Sequence, residues 1–592
     1  MKTTSFESVS KPYSFPNPSL GRSNYIEFLL TKLGFGKQGR SFETLPFKLR
    51  SFFSLLFLLM TPALLFSQPD TEWISRYNGP GNSYDIVANM GSDAAGNIFV
   101  YGSSNNPSSL FDFALIKYNS SGTELWSANY NGEANSTDQI FKGYADPSGN
   151  SYVTGFTTNL NGNNIITTAK FDSSGNLKWI RYFNSAGYTN GFGQDITHDK
   201  NGNVIICGFI RNASGNYDIV TLKYSNDGDE TGSVIYNGAG NGDDLPVSVK
   251  ADNLNNILIT ASSKENSNGA DILVLKYDHD LNFVWKKTFS GSVDSDNKAS
   301  SSVMDDDNSI YVSGSIYQTQ GSYDYFYAKI NSAGNVEWQG SFNGSGNYID
   351  FSYAITKDNS GNILLTGLSF QNTTSGSEDI LTLKISPSGN LLWSRVFNGL
   401  ADGTDQGIDL KTDNAGNVYV GGGSDKGNVH LIYALLKYDA NGNLLWEKYY
   451  ENHTLSEDFI SGVIVNDNSD VYVTGISIGD TTNFDIATIK YSQTTGILNQ
   501  TNHIPSGYYL DQNYPNPFNP STNLGFGISE LGFITLKIYN ALGVEVAVLV
   551  NEKLSPGTYN LQWNASEFPS GVYYYSIISE GYKETKKMFL IK

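Results

Sequence analysis

One cysteine in 592 residues, Cys207, excludes an intramolecular disulfide and any cysteine-based zinc site. It stands in "GNVIICGF" where a neighbouring segment, "GNSYVTGF", has Thr154, so a packing role is expected. Histidine is nearly as scarce: His198, His279, His430, His453 and His503 are scattered without metal-ligand spacing. G-x-S-x-G, a phosphate loop and a Cys–His pair are all missing. Charged residues make up only 16% of the chain, and the formal net charge is −20. Residues 1–67 hold eight Lys/Arg against three Asp/Glu, a net of +5, which leaves −25 for the remainder. A body that acidic repels phosphate backbones, so no nucleic-acid partner is expected.

Long apolar runs are absent with one exception. Ser51 to Phe66 is 16 residues long with a proline inside, short for a membrane span. Lys48 and Arg50 precede it, and Leu65 and Ser67 suit a cleavage site before Gln68, so 48–67 is expected to be a secretory signal. An uncleaved anchor is the alternative. No later run is longer, so the mature chain is expected to have no transmembrane span. Residues 1–47 are basic, match nothing downstream, and read as a pre-signal extension or an over-extended gene start.

What is abundant is glycine (60) and tyrosine (38), the mark of a turn-rich all-β chain. The phrase "GNIFVYG" returns as "GNSYVTG", "GNVIICG", "NNILITA", "NSIYVSG", "GNILLTG", "GNVYVGG" and "SDVYVTG", eight copies in all. Trp73, Trp126, Trp179, Trp285, Trp338, Trp393 and Trp446 keep the same period of 53 residues, with one step of 55; the missing step falls on Gly232. Each unit divides into four short alternating strands. Asp-x-x-Gly-Asn turns such as "DPSGN" supply a type I turn followed by a glycine able to take positive φ. Eight such units fit the blades of a β-propeller, with a solenoid as the alternative architecture. The array opens with a lone Trp strand and ends without one, so the strand around Trp73 is expected to complete the eighth blade and close the ring.

Loops before the inner and third strands share one face, taken as the recognition face because the variable stretches "SSNNPSSL", "TTNLNGNN" and "SKENSNGA" fall there. Asp85, Asp138, Asp244, Asp350, Asp405 and Asp458 occupy one blade position, with Gly191 and Asn297 in the other two blades. They read either as acceptors for backbone N–H groups in their loops, locking blade to blade, or as a ring of oxygen ligands for Ca²⁺ around the channel mouth. Asp112, Asp218, Asp271, Asp324, Asp379 and Asp485 open the third strand. A lysine present in every unit, from Lys117 to Lys490, is expected to pair with turn aspartates.

With "D..GN.YVTG", "D....KY" and "G...W" as markers, residues 71–495 resemble the bacterial seven-bladed β-propeller (SBBP-type) repeats, although the count here is eight. The resemblance implies architecture and no particular activity. After a linker at 496–507, the alternating segments of 508–592 read as a small antiparallel sandwich. Its entry segment is Asn513, Tyr514, Pro515, Asn516, Pro517, Phe518, Asn519 and Pro520, which the prolines hold extended and deprive of ladder donors. Together with "IYNALG", "LSPGTYNLQWNA", "SGVYYYSI" and the final lysine, the decapeptide "NYPNPFNPST" resembles the C-terminal type A sorting domain of type IX secretion. The resemblance implies recognition by an outer-membrane translocon, then removal of the domain and release or surface anchoring. The whole chain is therefore expected to be an all-β propeller at 68–495 followed by a sorting sandwich, secreted or displayed on a Gram-negative cell surface. A binding or display role, toward an unknown protein or glycan, is the leading expectation. A secreted hydrolase acting at the channel mouth is the rival. No cofactor beyond the candidate Ca²⁺ is expected.

Overall fold

The computed structural model describes residues 69–492 and 505–592, apart from 267–268, 293–294, 319–321, 371–377, 428–429, 454–456, 480–482, 555, 566–567 and 580. The expected extension, the signal and most of the linker lie outside these residues. Among the described residues no helix is long and apolar enough to cross a membrane.

Eight four-stranded antiparallel sheets follow one another, each built as the repeat anticipates. The first holds Asp85–Ser92, Ile98–Asn106, Leu110–Tyr118 and Glu124–Tyr130. The hairpins between first and second strands form because Asp, Gly and Asn each have a place in them. In the second blade Asp146 Oδ1 accepts the N–H groups of Ser148 and Asn150, both at 2.9 Å, and Gly149 takes φ +84°. A side chain there would be strained by the left-handed backbone. Each inner strand carries a β-bulge at one blade position, for instance between Val87 and Asn89 or Ile140 and Lys142. A bulge adds twist and bend at the crowded inner edge of a blade.

The eighth sheet runs Asp70–Tyr77, Phe484–Ser492, Val471–Ile478, Phe459–Val465, so the N-terminal strand is its outer edge. Trp73 stands opposite Lys490, as Trp126 stands opposite Lys117 in the first blade. The closure expected from the lone Trp strand is what the chain does, and the blades number eight.

Second and third strands are buried along nearly their whole length, because each blade covers the next. Tyr77, Tyr472 and Ile486 of the eighth blade share one cluster with Ile98, Val100 and Ile116 of the first. Cys207 is fully buried among Ile205, Val249, Ile259 and Leu273, and burial pushes its thiol up. Its role is packing.

The C-terminal unit has a sheet of Tyr509–Leu510, Ser521–Ile528 and Gly557–Asn564, and another of Glu545–Leu554, Gly532–Asn540, Gly571–Ser579 and Tyr582–Leu590. Phe526, Ile528 and Trp563 from the first sheet meet Leu536, Tyr575 and Met588 from the second in one apolar core.

Candidate functional site

The six candidate calcium ligands are all fully buried, and each points at the loop before its own strand. Asp85, Asp138, Asp244, Asp350 and Asp405 accept the N–H of the glycine six residues earlier, at 2.6–2.8 Å. Asp458 accepts from Asn452 at 3.4 Å and from Ile478 at 2.8 Å. Asp244 also takes Ser263 Oγ at 2.6 Å and the Lys264 N–H at 3.0 Å. Asn297 does the same work with its amide, accepting from Tyr317 N–H and donating to Ala270 O. The partners of the carboxylates are donors, the wrong polarity for neighbours of a cation, and the geometry supports a role in holding the loops. Among the described residues no three His, Cys, Asp or Glu side chains come together as a metal-binding group. Burial pushes the carboxyls of Asp85, Asp138, Asp350 and Asp405 up to about 6.

The third-strand aspartates are more varied. Asp218 accepts from Tyr188 and Asn212, and Asp485 pairs with Arg76 of the closing strand at 3.1 Å. Asp379 is raised to about 7, by burial first and then by the charges of Asp405 and Asp402.

The repeated lysine pairs with the first turn aspartate of its own blade, as Lys117–Asp93 (3.2 Å), Lys276–Asp252 (3.0 Å) and Lys384–Asp358 (2.9 Å) show. It has a second partner that no single repeat reveals. Lys117, Lys170, Lys223, Lys276 and Lys384 donate at 2.7–3.5 Å to a carbonyl in the last turn of the next blade. The tryptophans Trp126, Trp179, Trp285 and Trp393 donate Nε1 to that same type of carbonyl at 3.0–3.3 Å. Trp73 reaches Ser120 O at 3.0 Å and so joins the eighth blade to the first. The glycine of the receiving turn lies against the indole: a Cβ on Gly122 would stand 2.5 Å from Trp73, and one on Gly442 would stand 2.7 Å from Trp393. The blade lacking tryptophan explains itself here. Where Gly232 replaces the indole, the receiving turn has Leu281 at φ +66° instead of glycine, and the Leu281 side chain comes within 3.0 Å of a Cβ built on Gly232.

With the repeated polar groups so engaged, the groups that differ between blades are the ones left for recognition. At the loop end of the second and third blades, Phe141, Phe192, Phe209 and Tyr217 are half-buried, with Phe141 and Phe192 stacked at 6.2 Å and Phe209 edge-on to Tyr217 at 5.1 Å. At the fifth and sixth blades Lys298 stands over Tyr323 and Phe351, 5.4 and 4.8 Å from their ring centres. On the hairpin face, a cleft of about 480 Å³ is lined by Asp358, Lys384, Leu392, Trp393, Asn414 and Asn441. The sequence pattern places recognition on the loop face alone; this cleft arises from two successive blades and has no signature in either one.

The decapeptide lies along the edge of the final strand, Tyr582–Leu590. Phe518 N–H donates to Phe589 O, and Ile591 N–H to Phe518 O, both at 3.0 Å. Prolines leave gaps in such a ladder, and Asn516 fills one: its Oδ1 accepts the Phe589 N–H at 2.9 Å and its Nδ2 donates to Lys587 O at 3.3 Å. Asn513 is buried, donating to Pro515 O (3.1 Å) and Thr522 Oγ1 (2.9 Å) while its N–H meets the Tyr575 hydroxyl at 2.8 Å. Phe518 packs on Trp563 at 5.6 Å. Pro520 O receives the Ala565 N–H at 2.9 Å. Tyr514, Pro515, Pro517 and Asn519 face solvent.

Residues 512–592 match the family described as the Secretion system C-terminal sorting domain. The C-terminal unit is a secretion sorting domain. The chain is accordingly a secreted or cell-surface protein, and its C-terminal signal implies interaction with a type IX secretion system. No curated protein matches the chain in sequence. Among solved structures it is similar to PorZ, a surface component of the type IX secretion system of Porphyromonas gingivalis, at 11% identity and a TM-score of 0.30 over 85% of this chain and 70% of that one. It is also similar to the β-propeller domain of the Trilobed protease from Pyrococcus furiosus, at 12% identity and a TM-score of 0.33 over 58% of this chain and 94% of that one. A polysaccharide lyase of the ulvan lyase family shares 11% identity with a TM-score of 0.37 over 70% of this chain and 95% of that one. Likeness at this level carries nothing about activity.

Proposed function

We propose that the propeller is a binding or display module of a Gram-negative cell surface, with the sorting domain as its disposable address. The observation that supports this reading is a division of labour among side chains. Repeated Asp, Lys and Trp side chains are occupied in locking loops and joining blades, while half-exposed aromatic groups gather on particular blades at the loop face. Half-exposed aromatic faces, two of them beneath Lys298, suit a glycan or a protein segment, through stacking and cation–π contact.

The rival, a secreted hydrolase, draws on the raised Asp379, a carboxyl able to hold a proton near neutral pH. Yet Asp379 is only 4% exposed, out of reach of a bulky substrate. A screen of the purified chain against glycans, with product analysis, separates the two. Binding without products, weakened by Phe192→Ala or Phe351→Ala, supports the module; products that vanish in Asp379→Asn support the hydrolase.

A further inference from the structure

The decapeptide divides into an inward and an outward set. Asn513, Asn516 and Phe518 are engaged with the sandwich through their hydrogen bonds and packing. Tyr514 is 79% exposed, the more unusual because its backbone is fixed by paired bonds to Asn523 at 2.9 and 3.0 Å. A ring so exposed adds nothing to the packing of the sandwich, while its fixed backbone lowers the ordering cost of docking it against a partner. Pro515 and Pro517 extend the same exposed ribbon, and Phe589 (37%) and Ile591 (54%) adjoin it across the final strand. Charge adds direction. Residues 582–592 hold four lysines and one glutamate, a net of +3, in a chain of net −20.

Resting on the sorting role proposed above, we infer that Tyr514, with its flanking prolines and the lysines of the last strand, is the epitope read by the export machinery. The partner is a protein whose acidic groove receives the ring. Preorganisation of the ribbon by Asn513 and Asn516 limits the entropy lost on docking. A mounted tyrosine fits the composition of interface hot spots.

The test uses the full chain expressed in a bacterium with a type IX system, measuring the ratio of exported to periplasmic protein beside the melting temperature of each purified variant. Tyr514→Ala is expected to lower export about tenfold with unchanged melting, as loss of a hot-spot aromatic does. Tyr514→Phe is expected to export normally, and Lys587→Glu to fall in the same direction as Tyr514→Ala. Phe518→Ala serves as the structural comparison, losing melting temperature along with export. Normal export of Tyr514→Ala overturns the inference, while failure of a chain lacking 508–592 to leave the periplasm keeps the sorting role intact. Normal export of that deletion overturns the sorting role as well. Loss of binding to anionic lipid vesicles by Tyr514→Ala, with export unaffected, assigns the ribbon to lipid and also overturns the inference.

Discussion

At the residue scale the most informative pair is Gly232 and Leu281. Six other seams place an indole on one blade against a glycine on the next, from Trp73 on Gly122 to Trp393 on Gly442; here the large and small partners have changed sides. Restoring tryptophan alone, Gly232→Trp, is expected to overpack the seam and cost about 1–3 kcal/mol. Leu281→Gly alone opens a cavity at a buried leucine and costs about 2–4 kcal/mol. The double variant recreates the common seam and is expected to recover most of both losses, a coupling that denaturant melts of the four proteins measure directly. The carboxylates allow a second prediction. Asp85, Asp138, Asp350 and Asp405 titrate at about 6 in the folded chain, and Asp379 at about 7, against an ordinary value of 3.8. The folded state therefore binds protons that the unfolded state releases, so stability rises as pH falls from about 7 toward 4. Asp252 and Asp358 act oppositely. Burial pushes them up, but Asn256 or Asn362 and the paired lysine pull them net below the usual range, so their contribution is lost only below about pH 4. Melting temperature across about pH 4–8 should peak near the acidic end. A peak at neutral pH would show that the buried carboxylates are better solvated by their N–H partners than their burial implies.

At the scale of elements, the strand order, turn chemistry and closing strand were legible because hairpins are local and their residues lie close together in the chain. The seams were not. Trp179 and its acceptor Asn226 are 47 residues apart, and neither is unusual within its own repeat. Likewise the prolines announced an extended edge, but the use of Asn516 as a substitute for a strand's backbone required the neighbouring strand to be in place. The closing strand carries the clearest prediction. Trp73 caps the first-blade turn, and Arg76 reaches Asp485, Ser477 and Tyr450. Removing residues 68–80 is expected to destabilise the ring by about 3–5 kcal/mol, from lost aromatic burial and an opened edge. Trimming 496–507 is expected to leave melting unchanged. Equal melting temperatures for the two deletions would mean that the ring does not depend on this strand.

For the whole molecule, repetition and recognition pull in different directions. Eight similar units make the ring stable by the same few contacts, which leaves individual blades free to differ at their loop ends. Those differences, the aromatic groups of the second, third, fifth and sixth blades, are where a ligand is proposed to bind. A ligand's identity is not written in loops rich in Asn, Gly and Ser, which fit many polar surfaces. Delivery is more sharply specified, since the sorting domain uses its own hydrogen bonds to present one ribbon. The most direct measurement is the location of two chains in a type IX-secreting bacterium, the full chain and one lacking residues 508–592, with the folded state of each checked by protease resistance. The full chain is expected outside the cell, and the truncated propeller folded but held in the periplasm. Arrival of the truncated propeller at the surface at the full-chain level would contradict the sorting role.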